Sequence, residues 1–189
     1  MTEALDGYLV AKGLPFERRA SEWPLATERG GFEIEDSFPS VLSLKQVTPE
    51  VSEIYINSFS KTEGLASDLS ARLATGVVVN HYQSVATASY WAYHAGGEVL
   101  RQIEAGDGDV YAEIGTRLDF EGEVLGRDVA EEGEQRVFLF DYEAMDEYNS
   151  KVGVPVEVYQ QSDSGWLNFI VEVEKPAAAS RHRPWWKLW

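Results

Sequence analysis

Large aliphatic and aromatic residues alternate with small or polar ones through the middle of the chain, residues 77 to 120. Three consecutive valines, Val77 to Val79, open this stretch, and Tyr82 continues the pattern. β-Branched and aromatic side chains crowded in this way favour an extended, pleated backbone over a helix. The stretch is therefore predicted to begin with a β-strand.

Glycine-rich breaks divide the remainder of this stretch into further strands. An aromatic run that ends at Tyr93 is followed by Gly96-Gly97, and a second break of small and acidic residues follows at 105–109. Adjacent glycines reach the positive φ values that tight hairpin turns demand. The pattern predicts three or four antiparallel strands in a meander that buries one face.

Helical spacing occurs at two places. Leucine recurs at every fourth position from residue 65 to residue 73 and Gly76 follows, which predicts a helix over residues 61–75. A second helix is predicted from Asp141, whose carboxylate suits a helix N-cap, to Gly153.

Shorter apolar runs predict further strands at residues 41–47, 51–59 and 137–140, and a second hairpin formed by residues 154–158 and 167–173. The residues between these runs are polar, charged or rich in glycine, which is typical of loops.

Loops are accordingly predicted for residues 18–40, with a short strand at 31–34, and for the acidic stretch 121–134. Residues 1–7 are interpreted as a loose N-terminus.

The composition fits one folded domain. A chain of 189 residues with 44% hydrophobic residues has enough apolar surface for a sizeable core. We predict a single α+β domain over residues 8–174, mainly an antiparallel sheet of meander and hairpins covered by about two helices. A Pro/Ala linker and an aromatic, basic tail follow at residues 175–189.

The net charge of −16 restricts the class of partner. Nucleic acids and anionic membranes are bound through cationic side chains, so neither is predicted as a partner of the domain. The chain has no cysteine, which excludes disulfides, thiolate metal sites and a cysteine nucleophile. No secretion signal and no transmembrane segment are recognised, and a cytoplasmic location is expected.

Part of the central stretch carries a pattern seen elsewhere. It consists of His81 and Ser84, then Gly97-Glu98 and Arg101 in a hairpin, then Gly115, Leu118 and Phe120-Glu121. This arrangement, within residues 77–121, resembles an uncharacterised family of small bacterial proteins of unknown function. The resemblance implies a bacterial cytoplasmic origin and an α+β fold, and it implies no activity.

Candidate ligand-binding residues lie in the same stretch, namely His81, Tyr90, Tyr93, His94 and Arg101. The aromatic and histidine side chains suit a concave ligand site, although core packing is the simpler interpretation. Arg101 suits an anion, although cross-strand pairing with an acidic neighbour is the simpler interpretation. The histidines have no metal-ligand spacing, and the abundant carboxylates are interpreted as a solvated surface, so no metal or cofactor is predicted.

The C-terminal tail combines cations with large aromatic anchors, namely Arg181, Arg183, Trp185, Trp186, Lys187 and Trp189. Such residues are enriched at protein interfaces and at membrane surfaces. The tail is predicted to pack on its own domain, to dock a partner or a second copy of the chain as a homodimer, or to contact a membrane.

No nucleophile elbow, phosphate-binding loop or dinucleotide motif is present, so the sequence favours a binding protein over an enzyme. The leading hypothesis is a non-enzymatic protein-binding or neutralising module, similar to an immunity protein, whose acidic surface docks a basic partner. A small-molecule-binding domain or enzyme that uses the aromatic sheet is the second hypothesis. A structural protein that assembles through its tail is the third.

Overall fold

The chain folds into helices and antiparallel strands, which confirms the predicted α+β class. A computed structural model describes residues 1–27, 40–56, 62–83, 87–106, 109–129, 137–154 and 165–172. The α-helices within these residues are Thr2–Ala11 (α1), Thr62–Leu73 (α2) and Tyr142–Lys151 (α3). The strands are Phe16–Ser21 (β1), Val41–Gln46 (β2), Ser52–Ile56 (β3), Val77–Gln83 (β4), Ala88–Ala95 (β5), Glu98–Gly106 (β6), Asp109–Gly115 (β7), Arg127–Val129 (β8), Val137–Leu139 (β9) and Trp166–Val171 (β10).

The first sheet has the strand order β1-β10-β2-β3 and packs one face against α1 and α2. Leu5 and Leu9 of α1 are fully buried with Leu42 and Phe169 of the sheet. The prediction of a loose segment at residues 1–7 is therefore wrong. Leu5, Tyr8 and Leu9 stand three and four positions apart, so they form an apolar stripe that the sheet buries.

Strand β10 has a neighbour on each of its edges, because it pairs with β1 on one side and with β2 on the other. The predicted hairpin that would join residues 167–173 to residues 154–158 is therefore wrong for this strand. Residues 18–21 were predicted to lie in a loop, but they belong to β1. β1 lies at the sheet edge and its residues 17–20 are exposed, so pairing with β10 rather than burial makes it a strand.

The second sheet is the predicted meander, with the order β4-β5-β6-β7. Gly96 and Gly97, with φ of +61° and +92°, form the turn between β5 and β6. Helix α3 covers one face, where Trp91 and Ile103 are fully buried. The Asp141 carboxylate caps α3 as predicted, since it accepts a hydrogen bond of 3.1 Å from the Ala144 amide.

The acidic stretch at residues 121–134 is only partly a loop, because Arg127–Val129 pairs with Val137–Leu139 as β8 and β9. Leu125 before it is buried against α3. The predicted strand at 31–34, most of the predicted strand at 154–158 and the whole tail lie outside the described residues. Among the described residues, the helices number three rather than two, and none is long and apolar enough to cross a membrane.

Gly115 lies at the end of β7 with a φ of +82°, and a Cβ atom there would stand 1.9 Å from the Leu100 carbonyl oxygen. We expect Gly115→Ala to lower the free energy of unfolding by about 3 kcal/mol, since backbone strain adds to a clash with main chain. Gly153→Ala is the matched control, because Gly153 has a φ of +90° but open space around it. It should cost only about 1–2 kcal/mol in urea denaturation. Equal losses in the two variants would contradict the role of the close contact.

Candidate functional site

The five residues predicted to bind a ligand all lie on the second sheet, but on its two opposite faces. Alternation along β5 turns Tyr93 toward α3 and turns Tyr90 and His94 the other way. Arg101 is the cross-strand partner of Tyr93 and shares its face, whereas His81 is the partner of Tyr90. The five side chains therefore do not converge on one site.

His94 is fully buried beneath α2, where its Nδ1 atom lies 3.0 Å from the Ser67 hydroxyl oxygen. One helical turn further on, Ser70 Oγ accepts a hydrogen bond of 2.9 Å from the Gly97 amide. These two contacts join α2 to the sheet. His94 thus has a structural role in attaching the helix.

His81, Tyr90, Glu104 and Ala112 occupy adjacent positions in one row across β4, β5, β6 and β7. The His81 and Tyr90 ring centroids are 5.8 Å apart, and burial lowers the pKa of His81. Glu104 is two strands from His81, a separation of roughly 10 Å between backbones. His81 and Glu104 therefore do not form an acid–base pair.

Sequence reasoning did not single out Glu104 or Ala112. Glu104 pairs with Tyr90 in a strand pair that shifts register at Tyr93/His94, and Ala112 pairs with Glu104 beside a second shift at Glu104/Ala105. A bulge of this kind shifts side chains relative to simple two-residue alternation. No local signal in the sequence marks where it falls.

Arg101 is fully buried and is bound by the protein's own carboxylates. Its Nε atom donates to Glu121 Oε1 at 2.9 Å, and its Nη2 atom donates to Glu121 Oε2 and to Glu113 Oε2, both at 2.8 Å. Its Nη1 atom donates to the Ile114 carbonyl at 3.3 Å. The interpretation of Arg101 as the partner of acidic neighbours accounts for these contacts better than a role in binding an external anion does.

Glu121 reaches Arg101 because a tight turn folds residues 118–121 back beneath the sheet. The Glu121 amide donates to the Leu118 carbonyl at 2.9 Å, and Glu121 Oε1 accepts from the Leu118 amide at 3.1 Å. Gly115 allows the chain to leave β7 toward this turn with a positive φ. Four residues of the pattern noted in the sequence, Arg101, Gly115, Leu118 and Glu121, thus build one buried ion pair.

Glu113 is the more exposed of the two carboxylates. The hydrogen bond from Arg101, with a weaker one from Arg117, holds the pKa of Glu113 below its usual value, against the opposing effect of desolvation. Glu113 is therefore a carboxylate that stays ionised at neutral pH.

Tyr148 of α3 packs beside the ion pair among aromatic rings. Its ring meets those of Trp91, Phe120 and Phe140 edge-on, with centroids 5.1–5.4 Å apart. Burial, with the nearby Glu121 charge second, raises the pKa of Tyr148 to about 12. Of the aromatic residues predicted to bind a ligand, Tyr93 thus packs against Trp91 in this core.

Strand β7 differs from its neighbours because it is exposed along nearly all of its length. It carries Tyr111, 62% exposed, together with Val110 and Ile114, and the exposed Leu100 of β6 lies in the adjoining strand. Acidic residues accompany these apolar ones. We define the β7 surface as the exposed side chains of this strand and its neighbour, Leu100, Asp109, Val110, Tyr111, Glu113 and Ile114. The pairing with β6 places Val110 and Glu113 on the α3 side of the strand and Ile114 on the other side.

The first sheet buries a polar network on the face opposite α1. Asn168 Oδ1 accepts hydrogen bonds from the Ser43 hydroxyl at 2.6 Å and from the Leu25 amide at 2.9 Å, and the Asn168 amide group donates to Ser21 Oγ at 2.6 Å. Ser43 Oγ in turn accepts from the Ala26 amide at 3.1 Å. The network attaches the short 3₁₀ helix Leu25–Thr27 to the sheet, which is a structural role.

The predicted partner-binding tail, with Arg181, Arg183, Trp185, Trp186, Lys187 and Trp189, lies outside the described residues. Its docking and its role in a homodimer therefore stay predictions. Within the part of the chain that the structure describes, no three His, Asp or Glu side chains converge to hold a metal ion.

The chain matches no protein-family model, and neither a curated protein nor a solved structure shows significant similarity to it.

Breaking the buried ion pair should be costly because it leaves one charge without a partner. We expect Arg101→Met to lower the free energy of unfolding by about 3–5 kcal/mol in urea denaturation. Adding Glu121→Gln removes the orphaned charge and keeps the acceptor for the Leu118 amide, so the double variant should be more stable than Arg101→Met alone.

Arg18→Met is the control for this comparison, because Arg18 pairs with Asp6 at the exposed surface. It should cost less than about 1 kcal/mol. A double variant as unstable as Arg101→Met would show that lost packing, rather than buried charge, causes the loss.

The raised pKa of Tyr148 makes stability sensitive to alkali. An unperturbed tyrosine has a pKa of 10.0, whereas Tyr148 in the folded state has a pKa of about 12. Between these two pH values the unfolded state has lost the Tyr148 proton and the folded state still keeps it, so the stability of the protein falls as pH rises. We expect Tyr148→Phe to weaken this fall, as measured by urea midpoints from pH 9 to pH 12. Tyr111→Phe, at an exposed tyrosine, is the control, and its stability should fall with pH as that of the wild type does. Equal falls in all three proteins would show that Tyr148 does not cause the pH dependence.

Proposed function

We propose that this chain is a non-enzymatic protein-binding module that docks and neutralises a basic protein partner through the β7 surface. The single observation that carries the proposal is the exposure of β7, where Val110, Tyr111 and Ile114 are 40%, 62% and 49% exposed beside carboxylates. Grouped exposed apolar side chains mark interaction sites in folded proteins, and tyrosine is enriched where partners bind.

The charge of the chain supports a basic partner. The protein carries a net charge of −16, and the β7 surface itself carries the carboxylates of Asp109 and Glu113, of which Glu113 also pairs with Arg101 and Arg117. Charge of this sign attracts a basic partner, speeds its association and repels acidic competitors. A neutralising role similar to that of an immunity protein, in the cytoplasm of a bacterium, is part of this proposal.

The geometry of the histidines favours binding over catalysis. His94 is fully buried and lies against Ser67, and His81 is two strands away from Glu104. General acid–base catalysis needs such groups within hydrogen-bond reach of a common substrate. Arg101 is saturated by Glu121 and Glu113 rather than directed toward a ligand.

A library of displayed random dodecapeptides, selected for binding to the full chain, tests the proposal. We expect enrichment of peptides with net positive charge, whose binding weakens as salt screens the charges. The double variant Tyr111→Ser/Ile114→Ser should weaken their binding by about tenfold, equivalent to about 1.4 kcal/mol.

The control for this experiment is Tyr55→Ser/Val124→Ser, which removes a tyrosine and an aliphatic side chain that are 41% and 50% exposed elsewhere. Enrichment of acidic peptides, or equal losses in the two double variants, would refute the proposed surface.

A further inference from the structure

Among the described strands, β7 has a free edge. It stands last in the order β4-β5-β6-β7, and among the described strands only β6 pairs with it. An edge strand presents a row of backbone amides and carbonyls to which another strand can bind. Proteins commonly protect such edges with inward charges, bulges or a cover. Here Glu113 points inward to Arg101 and the pairing with β6 shifts register at Glu104/Ala105, but Tyr111 and Ile114 stay exposed on the strand.

The row of side chains that crosses the second sheet ends at this edge. Glu104 of β6 is followed by Ala112 of β7, and the next position in the row would belong to an added strand. A new strand lies about 4.8 Å beyond its neighbour, which places its backbone roughly 10 Å from that of Glu104. The methyl group of Ala112 is the only side chain of the row between them, so a long side chain from the added strand can pass over it.

Glu104 is suited to receive a cation. One carboxylate oxygen, Oε1, accepts a hydrogen bond of 2.8 Å from Gln102, and among the described residues no donor reaches Oε2. Tyr90 is the cross-strand partner of Glu104 and shares its face of the sheet. A carboxylate with a neighbouring aromatic ring favours a lysine or arginine side chain.

We propose that the edge of β7 accepts an extended basic segment of the partner as a fifth strand, with a lysine or arginine opposite Ala112 that reaches Glu104. The inference rests on the proposed function and adds the binding mode and the anchor residue. Backbone hydrogen bonds to β7 would supply the affinity, and every second side chain of the added strand would supply the specificity, as in other complexes formed by strand addition.

Charge favours a basic segment over a second copy of this chain. Two copies would each bring a net charge of −16, and each would carry Asp109 and Glu113 on the strand that pairs. Like charges opposed across strands are destabilising. A strand with alternate basic residues meets the same edge with favourable charge.

The binding mode is tested with three blocked eight-residue peptides of alternating valine and lysine. The first is unmodified, the second is N-methylated at the valine amides and the third at the lysine amides. In an added strand the amides of one set face β7 and those of the other face solvent. We therefore expect one methylated isomer to bind like the parent peptide and the other to bind at least about tenfold more weakly by fluorescence anisotropy.

The outcomes separate the two proposals. If all three peptides bind equally, strand addition is wrong and the proposed function stands. If the parent peptide fails to bind while the selected basic peptides bind, strand addition is again the part that fails. If neither the selected peptides nor the parent bind, the proposed function fails as well.

Two variants test the anchor. Glu104→Gln should weaken binding of the parent peptide by about tenfold, and Ala112→Leu should do so by blocking the path to Glu104. The matched controls are Glu22→Gln and Ala11→Leu, which make the same changes at exposed positions away from β7. Unchanged binding by both Glu104→Gln and Ala112→Leu would overturn the anchor.

Discussion

Arg101 and Glu121 form the contact on which the second sheet depends, because both side chains are completely withdrawn from solvent. Removing an ion from water costs several kcal/mol, and the cost is offset only where geometry and hydrogen bonding are nearly complete. Here Glu121 accepts from two guanidinium nitrogens and from the Leu118 amide, and Glu113 and the Ile114 carbonyl bind the remaining side of the arginine. The pair is satisfied only if β6, β7 and the turn at 118–121 are all in place.

This requirement explains how an exposed strand keeps a defined position. β7 pairs with one described neighbour, so its edge gains no support from a second strand. Glu113 and the Ile114 carbonyl attach it instead to Arg101, and the turn at 118–121 is attached to the same group. The β7 surface is therefore held from beneath, and no described strand pairs with its outer edge. A prepositioned surface binds a partner with a smaller loss of conformational entropy.

The candidate site was predictable in part. The pairing of Arg101 with an acid was predicted, whereas a ligand site formed by the aromatic and histidine residues of β4 and β5 stays a prediction. Their division between two faces was missed, although two-residue alternation separates Tyr90 from Tyr93 once the strand is known. The position of Glu104 beside Ala112 was not predictable, because it depends on where a bulge shifts the register between strands.

Local chemistry by itself determined the meander, the helix of spaced leucines and the Asp141 cap, since in each the interacting residues are near neighbours along the chain. Only the tertiary structure decided that β1 is a strand, that β10 lies between β1 and β2, and that the N-terminal segment forms helix α1 with Leu5 buried. Arg18 to Ser21 carry polar or small side chains with no apolar pattern, and they are extended because β10 supplies a pairing edge. The same reason applies to Glu121. The sequence around it predicts a solvated acidic loop, and only the fold places the buried Arg101 guanidinium beside it.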